Sequence, residues 1–184
     1  EGKGISVTDF MKIEEVALKN AVATAEGAIA NAVLQIPGNL EESRCLVLGY
    51  GTCGKEIALK LKAPAKEVIV MARRAEVRKE ALQAGFGAIP MFSELDRMPA
   101  EYDVVFNTIP ALVLDKKALD MLEGTAVIID IASSPGGTDF DHCREKGMKA
   151  GLYLGIPGKY APKKSGEILA DEVIAGCRLF DPMV

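Results

Sequence analysis

The sequence predicts an α/β fold, a doubly wound and mainly parallel sheet of about six strands, and three observations carry that expectation. From about residue 41 onward, short β-branched apolar runs alternate with helix-like segments. A glycine turn follows the first of those runs and opens the next helix-like segment. The composition, 49% hydrophobic and 26% charged over 184 residues, suits a globular domain with a proper core.

Taken in order, Val7 to about Gln35 are strong helix formers without proline, and the Ala and Gly residues of NAVATAEGAIANAV let that helix lie close to a neighbour. Pro37 and Gly38 end it. Six strands are then expected: Cys45 to Leu48, Val68 to Met71, a weak one at Phe86 to Ile89, Val104 to Phe106, Ala126 to Ile129, and Lys149 to Leu154. The segments TCGKEIALKLK, AEVRKEALQAG, DKKALDMLEG and DFDHCREKGM are long enough for crossover helices, while the stretch between the third and fourth strands is thinner. A Pro- and Gly-rich connection, GIPGKYAPKKSG, leads into a last helix from about Lys163 to Leu179.

Several function classes are disfavoured. A net charge of −4, no Trp and 5% aromatic residues argue against a nucleic-acid surface. The longest stretch without a charge, Gly27 to Leu40, is 14 residues, short of the roughly 18 apolar residues of a membrane span. No basic and apolar leader opens the chain, and a first residue of Glu1 rather than Met suggests an excised fragment. Four widely spaced cysteines without a CxxC, and the single histidine His142, indicate neither a metal site nor a disulfide framework, and a reducing cytoplasm is the expected setting.

Gly49-Tyr50-Gly51-Thr52-Cys53-Gly54 is a G-x-G-x-x-G between a strand and a helix, the context that makes the pattern a Rossmann-type dinucleotide fingerprint. Gly49 serves the tight turn, Gly51 lets backbone amides approach a pyrophosphate, and Gly54 permits close helix–strand packing. Cys53, near a helix N-terminus, is read as a small residue filling the turn in preference to a redox group. Ligands in such sheets sit at the carboxyl ends of the strands, so Asn107, Thr108, Ile109 and Pro110 after the fourth strand, and Ile131, Ala132, Ser133, Ser134, Gly136 and Gly137 after the fifth, are candidates to complete the site. The prolines and glycines there are equally readable as loop punctuation. Ala72, Arg73 and Arg74 end the second strand, where NAD-selective folds place an acid, so NADP is expected in preference to NAD; the other reading leaves both arginines solvated. His142, among Asp139, Asp141, Arg144 and Glu145, is expected on a solvated surface.

Together TAEGAIANAV, VLGYGTCGKEIA, VIVMARR, DVVFNTIPALVLDKKAL, IIDIASSPGGTDF and GIPGKYAPKKSGEILA resemble, in order and spacing, the cofactor-binding part of the dipicolinate synthase A-subunit family over about Ala23 to Ala170. The resemblance implies an oxidoreductase of spore-forming bacteria that oxidises a dihydrodipicolinate-type dicarboxylate to pyridine-2,6-dicarboxylate with NADP or NAD. It implies the mother-cell cytoplasm, a partner in the form of a second synthase subunit, and a further N-terminal domain that contributes to the substrate site. On this reading residues 1–40 are a long linking helix, 41–160 the dinucleotide-binding domain, and 161–184 a C-terminal helix packing with the linking helix. The fragment is then expected to bind cofactor without turnover. The catalytic base is not identified; Ser133 and Ser134 are candidate positioning groups and Lys159 a candidate partner for a substrate carboxylate. The wider group of two-domain 2-hydroxyacid dehydrogenases uses a histidine late in this domain, and none follows His142. Alternatives are a regulatory NAD(P)-sensing module or the cofactor domain of a related two-domain dehydrogenase. Ala-rich faces on the end helices also make a homo-oligomer an expectation.

Overall fold

The computed structural model describes residues 9–122 and 124–178. Its apolar runs form one sheet from β1 (Arg44–Leu48), β2 (Glu67–Met71), β3 (Gly87–Ile89), β4 (Val104–Asn107), β5 (Val127–Asp130) and β6 (Ala150–Leu152). Every pairing is parallel and the order is β3-β2-β1-β4-β5-β6. Winding starts at β1, proceeds outward to β3, returns to β4 and ends at β6, so the switch point lies between β1 and β4. The sheet is the doubly wound Rossmann type that the alternation of segments predicts.

Seven helices accompany the sheet among the described residues: α1 (Glu14–Val33), α2 (Thr52–Leu61), α3 (Ala75–Gln83), α4 (Lys116–Asp120), α5 (Phe140–Glu145), α6 (Ile156–Tyr160) and α7 (Pro162–Arg178). Because successive strand residues point to opposite faces, each strand feeds two cores. Cys45, Val47, Val70, Phe106 and Ile129 meet Ala25, Ala28 and Ala32 of α1 and Ile57, Ala58 and Leu61 of α2 on one face. Leu46, Leu48, Met71, Val105 and Ile128 meet Leu114, Leu119 and Cys143 on the other. Burial on both faces is why the strands read as continuous apolar runs instead of alternating ones.

Gly27 explains the small residues of α1: a Cβ there would run into Ile156 and, at 2.7 Å, Tyr160 Cδ2 of α6. The two helices therefore pack closely, and α7 lies against both. The capping carboxylates of Asp115 and Asp139 accept from the Ala118 and His142 amides at 2.9 and 3.0 Å, starting α4 and α5.

Some expectations are corrected. The first helix starts at Glu14 and not near Val7: Ile13 is extended and separates α1 from a 3-10 turn at Phe10–Lys12, while Val7 and Thr8 lie outside the described residues. The last helix begins at Pro162, and its expected end, Leu179, is also outside them. The stretch GIPGKYAPKKSG is not merely a connection but contains α6, because Pro157 stands at the helix start, where no amide is needed, and Ile156 is buried. The expected sixth strand, Lys149 to Leu154, pairs only over Ala150–Leu152. No helix among the described residues is long and apolar enough to cross a membrane.

Candidate functional site

Register brings the strand ends into one row. Leu48 is opposite Met71 on one side and Asn107 on the other, Met71 opposite Ile89, Asn107 opposite Asp130, and Asp130 opposite Leu152. The loops that follow leave the sheet side by side, and all the loop candidates from the sequence belong to this edge.

Each glycine of the turn has its own geometry. Gly49 has φ +88° and its amide donates to Met71 O at 2.9 Å; a Cβ would sit 2.6 Å from Thr108 Oγ1. A Cβ on Gly54 would collide with the Gly49 carbonyl. Gly51, in contrast, has an ordinary extended backbone, φ −83°, ψ −163°, and a Cβ there would meet no atom within 4 Å. Two glycines are thus required by the protein's own packing, while the third leaves space that nothing among the described residues fills. That space adjoins the start of α2, whose first amides have no partner within the helix. An anion is favoured there by those amides and by the helix dipole.

A cleft of about 390 Å³ opens beside the turn, lined by Gly49, Tyr50 and Gly51, by Ala72, Arg73, Arg74 and Val77, and by Met91, Ile109, Ala111 and Val113. Its floor is apolar and its rim cationic. Arg78 Nη1 donates to both Ala72 O and Arg73 O at 2.8 Å, bracing the strand end, so the exposed Arg73 and Arg74 extend from a fixed backbone. Glu76 falls later, in the first turn of α3. Tyr50 borders the cleft but is only 8% exposed, and its ring packs edge-on to Phe86 at 6.2 Å. Cys53 is half-buried and burial raises its thiol pKa, which agrees with a residue filling the turn.

The loops after β4 and β5 direct their polar groups inward. Asn107, 0% exposed, accepts from the Ile109 amide at 3.0 Å and donates to Ile109 O at 3.2 Å, and Thr108 Oγ1 donates to Leu48 O at 2.8 Å. The side chains of Asn107 and Thr108 thus shape the loop, leaving Ile109 to line the cleft and Pro110 exposed beside it. After β5, Ile131 is half-buried, Ala132 buried, and Ser133 and Ser134 exposed. Beneath them the fully buried Asp130 accepts from the Ala132 amide, the Gly137 amide and Thr138 Oγ1 at 2.9, 2.8 and 2.7 Å.

Lys159 is exposed on α6 and is not among the residues lining the cleft. His142 departs from the expected solvated position: its side chain is 14% exposed, with Nε2 3.0 Å from Asp120 Oδ1 and Nδ1 3.3 Å from Glu145 Oε2. The hydrogen bond to Asp120 is the main reason its pKa is raised. No group of three or more His, Cys, Asp or Glu able to hold a metal occurs among the described residues. Sequence reasoning missed Val77, Met91, Ala111 and Val113, the apolar cleft wall, and the roles of Arg78 and Asp130. Asp130 had a signal, an acid ending an apolar strand, whereas the wall residues look like ordinary core or loop positions.

Fold, fingerprint turn and cleft define a dinucleotide-fold domain of the dehydrogenase kind. The chain belongs to the shikimate / quinate 5-dehydrogenase family, whose model matches residues 29–136. In particular it is similar to the dipicolinate synthase A-subunit of Bacillus subtilis (strain 168), 35% identical over 159 residues, covering 86% of this chain and 53% of that protein. The crystal structure of the dipicolinate synthase A-subunit from Bacillus halodurans superposes with a TM-score of 0.88 at 34% identity over 96% of this chain and 60% of that one. The crystal structure of its Bacillus subtilis counterpart gives 0.87 at 31% identity, over 94% and 58%. This chain spans about half the length of the curated relative it matches.

Proposed function

We propose that this chain is the cofactor-binding domain of an oxidoreductase like the dipicolinate synthase A-subunit, and that its cleft takes NADP in preference to NAD. The observation that carries the reading is the empty approach at Gly51, flanked by the start of α2 and by two exposed arginines. The residues fit such a group. The amides at the head of α2 would hold the pyrophosphate, Val77, Met91, Ile109 and Val113 would cover the adenosine, and Arg73 and Arg74 would meet a 2′-phosphate with charge and fork geometry.

When bound, the nicotinamide supplies the hydride chemistry. The chain's part is orientation: Asn107 and Asp130 fix the loops on which the far half of the dinucleotide would rest, and the exposed Ser133 and Ser134 would orient ring or substrate. Aromatising a dihydrodipicolinate would require loss of a hydride and of a proton, and these residues would hold the ring where a bound nicotinamide would accept the hydride. Lys159 remains a proposed partner for a substrate carboxylate, brought to it only by a further domain. The division into a linking segment at 1–40 that carries α1, a dinucleotide domain at 41–160 and a packing segment at 161–184 that carries α7 belongs to the same proposal. So do a place in the mother-cell cytoplasm and the second subunit, the latter supported by the likeness to a Bacillus subtilis protein named as a subunit.

Calorimetric titration with NADP and NAD tests the cleft, with NADP expected to bind about tenfold or more tightly. No binding of either sinks the reading. Mixing the chain with dihydrodipicolinate, NADP and the second subunit should give no aromatic product, while a longer chain carrying the further domain should.

A further inference from the structure

The cleft wall after β4 and the buried Asp130 at the end of β5 lie on different segments of the chain, yet hydrogen bonds join them. Gly137 is the link. Its amide donates to Asp130 Oδ2 at 2.8 Å, and its carbonyl accepts from the Val113 and Leu114 amides at 3.0 and 2.9 Å. Leu114 O accepts in turn from Asp139 N at 2.9 Å, so Leu114 and Thr138 form a parallel bridge. Nothing larger than glycine fits at the link, since a Cβ on Gly137 would lie 2.5 Å from Asn107 Nδ2 and from Ile109 O. Asp130 has three donors, no cation among the described residues, and no exposed surface through which to touch a ligand.

We propose that Asp130 is a positioning residue of the cleft. Through Gly137 its carboxylate sets where the loop after β4 runs, and with it the wall of Ile109, Ala111 and Val113, so the two loops that flank the dinucleotide behave as one piece. The inference rests on the dinucleotide reading of the cleft for its effect on affinity, while the loop coupling is measurable without any ligand. Asp130→Asn is the sharpest perturbation. It keeps volume and one acceptor, but whichever oxygen becomes N–H₂ then faces a donor, so the Gly137 or the Ala132 bond is lost.

The experiment has two readouts. Amide hydrogen exchange at Val113 and Leu114 in the unliganded protein should accelerate about tenfold or more in Asp130→Asn. Affinity for NADP, titrated far below melting, should fall by a similar factor. Thr138→Val should move both in the same direction and Thr138→Ser should restore them, which decides the matter if Asp130→Asn does not fold. Val16→Ala, a buried site on α1 outside the core that holds Leu114, Ile109 and Val113, supplies a destabilised protein in which neither readout changes. Unaltered exchange in both Asp130→Asn and Thr138→Val overturns the coupling. Faster exchange with unchanged NADP affinity overturns the positioning role. If the wild-type protein binds no dinucleotide but exchange still accelerates, the reading of the cleft fails and the loop coupling is supported.

Discussion

Replacing Gly51 by valine separates a ligand's needs from the protein's. The position has extended dihedrals that valine adopts readily, and its Cβ would meet nothing within 4 Å. The cost to the unliganded fold is that of a poorer helix N-cap, about 1 kcal/mol, or roughly 2–4 °C in melting temperature for a domain of this size. A pyrophosphate approaching the start of α2 would meet the two methyl groups. Loss of a single charge-assisted hydrogen bond, about 1.5–3 kcal/mol, weakens binding roughly 10- to 150-fold. Gly54→Ala should behave in the opposite way, since its Cβ collides with the Gly49 carbonyl with or without a ligand. Overpacking of that kind costs about 1–3 kcal/mol or more, a melting loss of roughly 2–12 °C. Calorimetric titration with NADP and a thermal melt of each variant form the assay. Unchanged affinity in Gly51→Val refutes the argument, as does a melting loss equal to that of Gly54→Ala.

Three further outcomes are expected. Arg73→Ala combined with Arg74→Ala should weaken NADP about 10- to 150-fold and scarcely affect NAD when both are titrated at one salt concentration; equal losses would show that the arginines do not read the 2′-phosphate. His142 has a raised pKa in the fold, chiefly through Asp120, so its contribution is complete below the ordinary value of 6.5 and is lost as pH rises through the raised one. Asp120, lowered chiefly by His142, contributes above its own ordinary value of 3.8 and so does not offset this in the same window. The melting advantage of wild type over His142→Gln should therefore be largest below pH 6.5 and shrink as pH rises above it, and Asp120→Asn should flatten the trend; a constant advantage contradicts the pairing. Leu18 and Val22 of α1 and Val173 and Ile174 of α7 are exposed apolar side chains, from which self-association at high concentration is expected, and sedimentation as a strict monomer would count against it.

Much of the architecture is legible in the sequence because its signals are local. Every strand sits within a few residues of its apolar run, and the glycine fingerprint stands between β1 and α2 as its spacing requires. Two misreadings have a common cause, the reliance on near neighbours. GIPGKYAPKKSG reads as a loop because proline and glycine usually interrupt helices, but Pro157 falls at the one end of α6 where proline is tolerated. His142 reads as solvated because its sequence neighbours are charged, yet its ring is 14% exposed and pairs with Asp120, 22 residues earlier in the chain.

The number of strands, the glycine turn and the cationic end of β2 follow from the sequence alone, since periodicity, backbone permissiveness and charge are properties of neighbouring residues. Which glycine serves the fold and which leaves room for a ligand was decided only by the tertiary structure. So were the order of the strands, the cleft wall of Val77, Met91, Ala111 and Val113, and the tie from Asp130 through Gly137 to Val113. These depend on parallel register, which sets Leu48, Asn107 and Asp130 in one row and makes neighbours of loops that the chain keeps more than a helix apart.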